Sequence, residues 1–276
     1  MMRLKKLIPL MLALGISQAY AADSGKEITI GVSPGPYGDM VTKAIKPEMV
    51  KKGYEVKVRE FSDYIQPNLA LSNKSIDANL FQNRRYLDRF SADKGLKLAE
   101  VITVPTASMG FYSNKVRSLD ELKAGDIVTL PNDPSNLARS LDFLQKYGLI
   151  KINPEITPTK ASLRDITENP KGLVFKPLEA AQLPRALGGV TGSLINANFA
   201  ISAGLNLSDA IQLDVLPEDL KNMIVVRAED ADKPFAQDLK AAVQSPEFAA
   251  FFEDKNSMFH AFQKPEWMKK KGTQSE

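Results

Sequence analysis

Residues 61–86 read FSDYIQPNLALSNKSIDANLFQNRRY. In order, the pattern is a strand end at Phe61, a turn at Asp63 and Tyr64, a short helix, a short strand and a second helix. Pro67 suits the first turn of the short helix, where its missing N–H has no partner to lose, and Leu69, Ala70 and Leu71 follow it. Ile76–Leu80 is a short apolar run that predicts the strand, and Phe81, Gln82, Asn83 and Tyr86 come just past it. Aromatic area beside amides at a strand end is what the mouth of a pocket for a small polar ligand needs. The same aromatics also fit plain packing under a loop.

Working outward, Lys26–Val32 is a β-branched strand pattern that runs into the turn-forming loop Ser33–Gly38. Asp39–Lys52 predicts a helix, with Met40, Val41, Ala44 and Ile45 at helical spacing and Gly53 as its stop. Tyr54–Phe61 is the second strand, Asn83–Lys94 a helix closed by Gly95, and Leu96–Val104 a strand. This alternation predicts an α/β lobe with a mainly parallel sheet.

Pro105–Ser113 then runs extended, and a second batch of elements follows. Its members are a capped short helix at 118–122, the strand Asp126–Leu130, the helix Leu137–Tyr147 and a helix at Ser162–Thr167. The strand Leu173–Pro177, the helix Ala180–Leu187, the strand Gly192–Asn196 and a helix from Ala197 complete it. A second connection near 222–227 returns the chain to the first batch, and terminal helices follow at Phe235–Val243 and Glu247–Phe252. The expected architecture is two α/β lobes joined by two crossover segments with a ligand cleft between them. Residues 22–108 and 226–276 form one lobe in this reading, and 109–225 the other.

The start of the chain reads as a secretory signal at residues 1–21. Arg3, Lys5 and Lys6 precede the apolar run Leu7–Ile16, and Ala19-Tyr20-Ala21 is a small-x-small cleavage site. Cleavage there removes 21 of 276 residues and leaves 255, enough for two ordinary lobes. The formal charge of +3 comes from those three leader cations, so the mature chain is neutral and offers no basic field for nucleic acid.

The sequence holds no cysteine, so the core must do without disulfides. The usual lipid-attachment residue is also missing, and the expectation is a monomer free in the periplasm, not lipidated. With one histidine, His260, and no thiol, a zinc site and Cys–His catalysis are not expected. Asp63, Asp77, Asp133 and Glu179 form no pair with a spacing that implies shared proton work. The loop SPGPYG lacks the lysine of a phosphate-binding loop. No catalytic residue, metal or cofactor is expected, and an exported enzyme is the disfavoured rival.

Three further residues carry recognition chemistry. Arg139 lies one turn into the helix after NDPSN, near Ser135 and Asn136, and an arginine at a helix N-terminus suits a carboxylate. A solvent-facing arginine fits the pattern equally. Asn196 closes the strand SLIN and Asn222 opens NMIVV, although asparagine is also common at turns for local reasons. Together the three suit the carboxylate and ammonium of an α-amino acid.

The runs FSDYIQPNLALSNKSIDANLFQNRRYL, SLDELKAGDIVTLPNDPSNLARSLDFLQKYGLI, LEAAQLPRAL, INANFA and NMIVVR resemble the MetQ/NlpA family, over nearly the whole mature chain. These are substrate-binding proteins of methionine ABC importers. The resemblance implies a two-lobed periplasmic-binding fold of type II that closes on methionine. It implies Tyr64, Phe81 and Tyr86 as the wall around the thioether, Arg139 as partner of the carboxylate, and Asn196 and Asn222 as partners of the head group. Asn83 stands where the family usually has a histidine, and Pro34-Gly35-Pro36-Tyr37 where it often reads PGPH. The resemblance implies a permease with its cytoplasmic ATPase as partner. The alternative is a soluble sensor of the same fold for another amino-acid derivative or a methionyl peptide.

Overall fold

The computed structural model describes residues 26–272, so the leader reading lies outside the described residues. The chain opens with β1, Lys26–Val32, and enters a helix at α1, Pro36–Met40. A wide π-helical turn at Val41–Ile45 links it to α2, Lys46–Lys51. Pro47 accounts for the wide turn: it has no N–H to donate, and its ring crowds the carbonyl one turn back. β2 is Tyr54–Glu60, α3 Gln66–Ser72, β3 Ala78–Asn83, α4 Arg84–Lys94 and β4 Leu98–Thr103.

The chain then crosses to β5, Gly110–Tyr112, and β6, Ile127–Pro131. After α5, Pro134–Lys146, the short strands β7, Lys151–Ile152, and β8, Ile166–Glu168, pair with each other. Next come β9, Val174–Leu178, α6, Leu183–Ala186, β10, Gly192–Ile195, and α7, Ala197–Ser202. β11, Gln212–Leu213, precedes the return through β12, Asn222–Arg227.

Two five-stranded sheets result, with orders β2-β1-β3-β12-β4 and β11-β5-β10-β6-β9. The returning strand β12 lies inside the first sheet, antiparallel to both β3 and β4. β1 is parallel to β2 and to β3. In the second sheet β10 is antiparallel to β5 and parallel to β6, which is parallel to β9. In each sheet four strands run one way and one, taken in from a crossing segment, runs the other, so both sheets are mixed but mainly parallel in direction.

The first core packs Ile30, Val32, Leu80 and Ile224 against Met40, Ile45, Phe248 and Phe252, all fully buried. Each such side chain contributes about 1.5–3 kcal/mol. The second core centres on Phe111, Val128, Leu130, Leu141, Leu144 and Leu194.

Two local expectations differ from the structure. The strand placed at Ile76–Leu80 runs over Ala78–Asn83, because β12 pairs with it as far as Asn222 opposite Asn83. The helix expected at Ser162–Thr167 is one tight turn, Leu163–Asp165, and then β8. There the Asp165 carboxylate accepts from both the backbone N–H and the hydroxyl of Ser162, which closes the turn locally.

The chain passes between the sheets at residues 104–109 and 214–221. Gln263, from the C-terminal region, ties the two passages together. Its backbone exchanges hydrogen bonds with Thr106 at 3.1 and 2.9 Å. Its amide donates to Ser108 Oγ at 2.5 Å and accepts from the Leu216 N–H at 3.2 Å.

Candidate functional site

The carboxyl ends of β1, β3, β6 and β10 all lead into residues lining one cavity between the sheets, with an empty volume of about 390 Å³. That is the usual location of ligands in α/β sheets.

One wall is aromatic and comes from the first sheet. The Asp63 carboxylate accepts from the N–H groups of Ile65 and Gln66, which starts α3 and sets Tyr64 beside it. Phe81 lies on β3. Asn83 caps α4 by accepting from the Tyr86 N–H at 3.0 Å, which fixes Tyr86 in the first turn. The rings of Tyr64 and Phe81, and of Phe81 and Tyr86, are 5.8 Å apart, and Phe199 from α7 approaches Tyr64 at 4.9 Å. The Tyr86 hydroxyl donates to the Tyr64 carbonyl at 2.8 Å. Beneath the wall, Gln82 exchanges amide hydrogen bonds with Asn68 and donates to Asn79, so three buried amides satisfy one another.

The facing wall is polar. Asp133 caps α5 by accepting from the Asn136 N–H at 2.9 Å, and also accepts from the Asn136 amide. Asn136 in turn accepts from Asn196 Nδ2 at 2.9 Å. This leaves Asn196 Oδ1 buried without a partner. Arg139, only 8% exposed, donates from Nε to Asp214 at 2.8 Å. Its Nη2 lies 2.7 Å from the same oxygen but makes no directed hydrogen bond. The helix N-terminus that the sequence offered as a carboxylate site is thus already closed by Asp133. Arg139 itself is buried and paired.

Asn222 completes the floor: its N–H donates to Thr106 Oγ1 at 2.7 Å and its amide to the Phe81 carbonyl at 3.2 Å. Tyr37 borders the same space beside Thr106 and Asn222. Burial raises the phenols of Tyr37, Tyr64 and Tyr86 well above the ordinary tyrosine value, so all three are neutral.

Asn198 bridges the two sheets. Its Oδ1 accepts from the Tyr64 hydroxyl at 2.5 Å, and its Nδ2 donates to Ser33 Oγ at 3.3 Å and to the Pro34 carbonyl at 3.2 Å. Next to it, Gly35 has φ +107°, and a Cβ there would collide with the Asn198 carbonyl.

All seven residues singled out in the sequence, Tyr64, Phe81, Asn83, Tyr86, Arg139, Asn196 and Asn222, border this cavity. Sequence reasoning placed Gln82 at the pocket mouth, where it lies, but missed Tyr37, Thr106 and Asn198 as cavity residues, and read Asn136 only as part of a helix start. The repeat of asparagine in INANFA is the signal for Asn198, since it places Asn198 two residues after the strand-closing Asn196.

Two mixed α/β sheets with a polar-and-aromatic cavity between them define a two-lobed substrate-binding protein. The chain belongs to the NlpA lipoprotein family, whose model matches residues 28–267. It is 40% identical over 230 residues to the probable D-methionine-binding lipoprotein MetQ of Vibrio cholerae serotype O1, covering 83% of this chain and 85% of that protein. It is 36% identical to outer membrane lipoprotein 3 of Mannheimia haemolytica, over 89% of this chain and 94% of that one. The solved structure of a nutrient binding protein from Burkholderia cenocepacia bound to methionine superposes with TM-score 0.78 at 40% identity, covering 83% of this chain and 96% of that one.

These relatives correct one expectation. The periplasmic, unlipidated protein read from the cysteine count is overturned, because the relatives are named lipoproteins and indicate a membrane-anchored lipoprotein. The cysteine count concerned one residue type, whereas the lipoprotein names come with relatives matched over 83% and 89% of this chain.

Proposed function

We propose that this protein is the substrate-binding component of an ABC importer and captures methionine by closing its two lobes over it. It is a binding protein, not an enzyme. The observation that carries the reading is a cavity lined on one side by Asn196, whose buried Oδ1 has no partner, and the Arg139 guanidinium, and on the other by an aromatic wall. An open acceptor and a guanidinium in one cavity match the ammonium and carboxylate of an amino acid, and the rings match an apolar side chain. The methionine named in the Burkholderia cenocepacia structure supports the same ligand.

In this reading Tyr64, Phe81 and Tyr86 enclose the thioether, Arg139 holds the carboxylate, and Asn196 and Asn222 hold the head group. Asn83 keeps the aromatic wall in place through its cap. The lobes divide the chain as the sheets do, with the segments 104–109 and 214–221 as hinges tied by Gln263. Ligand favours the closed state through contacts the open state cannot make. A monomer delivers the ligand to a permease driven by its ATPase.

Refolding the purified protein removes carried-over ligand, and thermal unfolding with L- and D-methionine tests the reading. Ligand at about 100 times Kd adds about 2.7 kcal/mol of stability. A clear rise in Tm with at least one enantiomer is expected; no rise with either overturns the reading.

A further inference from the structure

Arg139 is the one ionised side chain among the described residues lining the cavity, since the phenols there are neutral. Its charge is already matched by Asp214, which does not line the cavity and is itself only 10% exposed. Asp214 is held in place without help from Arg139. Its N–H donates to the Met109 carbonyl at 2.9 Å, and its carbonyl accepts from Gln263 Nε2 at 3.3 Å. These bonds fix the main chain of Asp214, and its carboxylate lies beside Arg139. The open acceptor at the other end of the polar wall, Asn196 Oδ1, is an uncharged amide. Lys221, which also feels Asp214, has Glu218 close by as a counter-charge.

We propose that Asp214 sets the charge specificity of the cavity: by cancelling Arg139 it restricts the closed cleft to ligands with no net charge. The proposal rests on the amino-acid reading of the cavity. A zwitterion brings a carboxylate to Arg139 and an ammonium to a neutral acceptor. With Asp214 present, the charges of Arg139, Asp214 and the ligand then sum to zero, while the Asp133 carboxylate behind Asn136 is held by the N–H groups at the start of α5 and is the same for every ligand. A ligand of the same shape with a hydroxyl in place of the ammonium leaves one net negative charge inside. An amide in place of the carboxylate leaves one net positive charge. Enclosing an unbalanced charge costs far more than enclosing a balanced set. Asp214 thus acts as a specificity-determining residue through Arg139, without touching the ligand.

The test is calorimetric titration of the native protein and Asp214→Asn with three ligands: methionine, its 2-hydroxy acid analogue and methioninamide. The native protein is expected to favour methionine over both analogues. In Asp214→Asn the affinity ratio of hydroxy acid to methionine rises by roughly tenfold or more, and the ratio of amide to methionine falls comparably. Asp214→Glu keeps the native ratios. If Asp214→Asn does not fold, Asp214→Ser removes the same charge with a smaller side chain and must move both ratios in the same sense. Ratios that stay put beneath a uniform loss of affinity make Asp214 a structural partner only and overturn the proposal. A native protein that binds none of the three overturns the amino-acid reading, and the proposal with it.

Discussion

The two walls of the cavity are built on opposite principles. On the aromatic wall every hydroxyl contributed by Tyr64 and Tyr86 has a partner, and the rings support one another. That wall is complete without a ligand. The polar wall is left open: Asn196 Oδ1 is buried and unsatisfied, and behind Arg139 so is Asp214 Oδ1. Unsatisfied buried groups are costly, so the stability of the polar wall depends on what enters the cleft. Area is preassembled on one side, and direction is held in reserve on the other.

The largest effect should come from breaking the polar wall. Arg139→Ala strands Asp214 as an unpaired buried carboxylate and should cost about 3–5 kcal/mol in chemical denaturation, together with loss of ligand binding. An apo stability within experimental error of the native protein would show that the wall bears no such strain. Next comes the contact that brings the walls together. Gly35→Ala puts a Cβ against the Asn198 carbonyl at φ +107° and ψ −146°, a region essentially reserved for glycine where an L-residue already costs about 1–3 kcal/mol. Small-angle scattering of the ligand-bound variant should show a larger radius of gyration than the native complex, with affinity reduced about tenfold or more; an unchanged radius would place the closing contact elsewhere.

A smaller loss is expected on the aromatic side. Asn83→Ala removes the cap of α4 and should lower stability by about 1 kcal/mol, whereas Asn83→Ser should recover most of it. If both variants lose the same amount, the amide matters for something besides the cap. The last effect is one of slope. Burial lowers the Lys221 amine to about 8, below the roughly 10.4 of an unfolded lysine. Between those values the unfolded chain keeps a proton that the folded chain has released, so stability gained from this group rises with pH across that window. Lys221→Met should remove that rise, read as the difference between variant and native denaturation midpoints at several pH values; parallel curves would refute it.

The order of strands and helices was legible because periodicity and punctuation are local: Gly53 and Gly95 end helices where the pattern stops, and Pro67 opens one. Cavity residues were legible where they close a strand or flank a motif, as Asn196 and Asn222 do. Asn198 was not, because its role depends on Ser33, Pro34 and Tyr64 arriving from another sheet. Asp214 carries no motif either; its meaning comes from Arg139, 75 residues earlier in the chain. The mixed sheets also escaped a reading by alternation, since nothing in NMIVV says that its neighbours run the other way.

The placement of β12 has a consequence for the making of the molecule. Every strand of the second sheet lies between residues 110 and 213, so that sheet is fully synthesised before the return passage begins. The first sheet carries the earliest strands, yet β3 and β4 are held apart by a strand whose last residue is Arg227. The part of the protein that is made first is therefore the part that must wait. Until Arg227 has emerged, β3 and β4 expose edges that have no neighbour, and loop closure across more than a hundred residues is still to come. Half of the cleft can be in order while the other half is still an unfinished edge, and only the arrival of one late strand brings the aromatic wall to face the polar one.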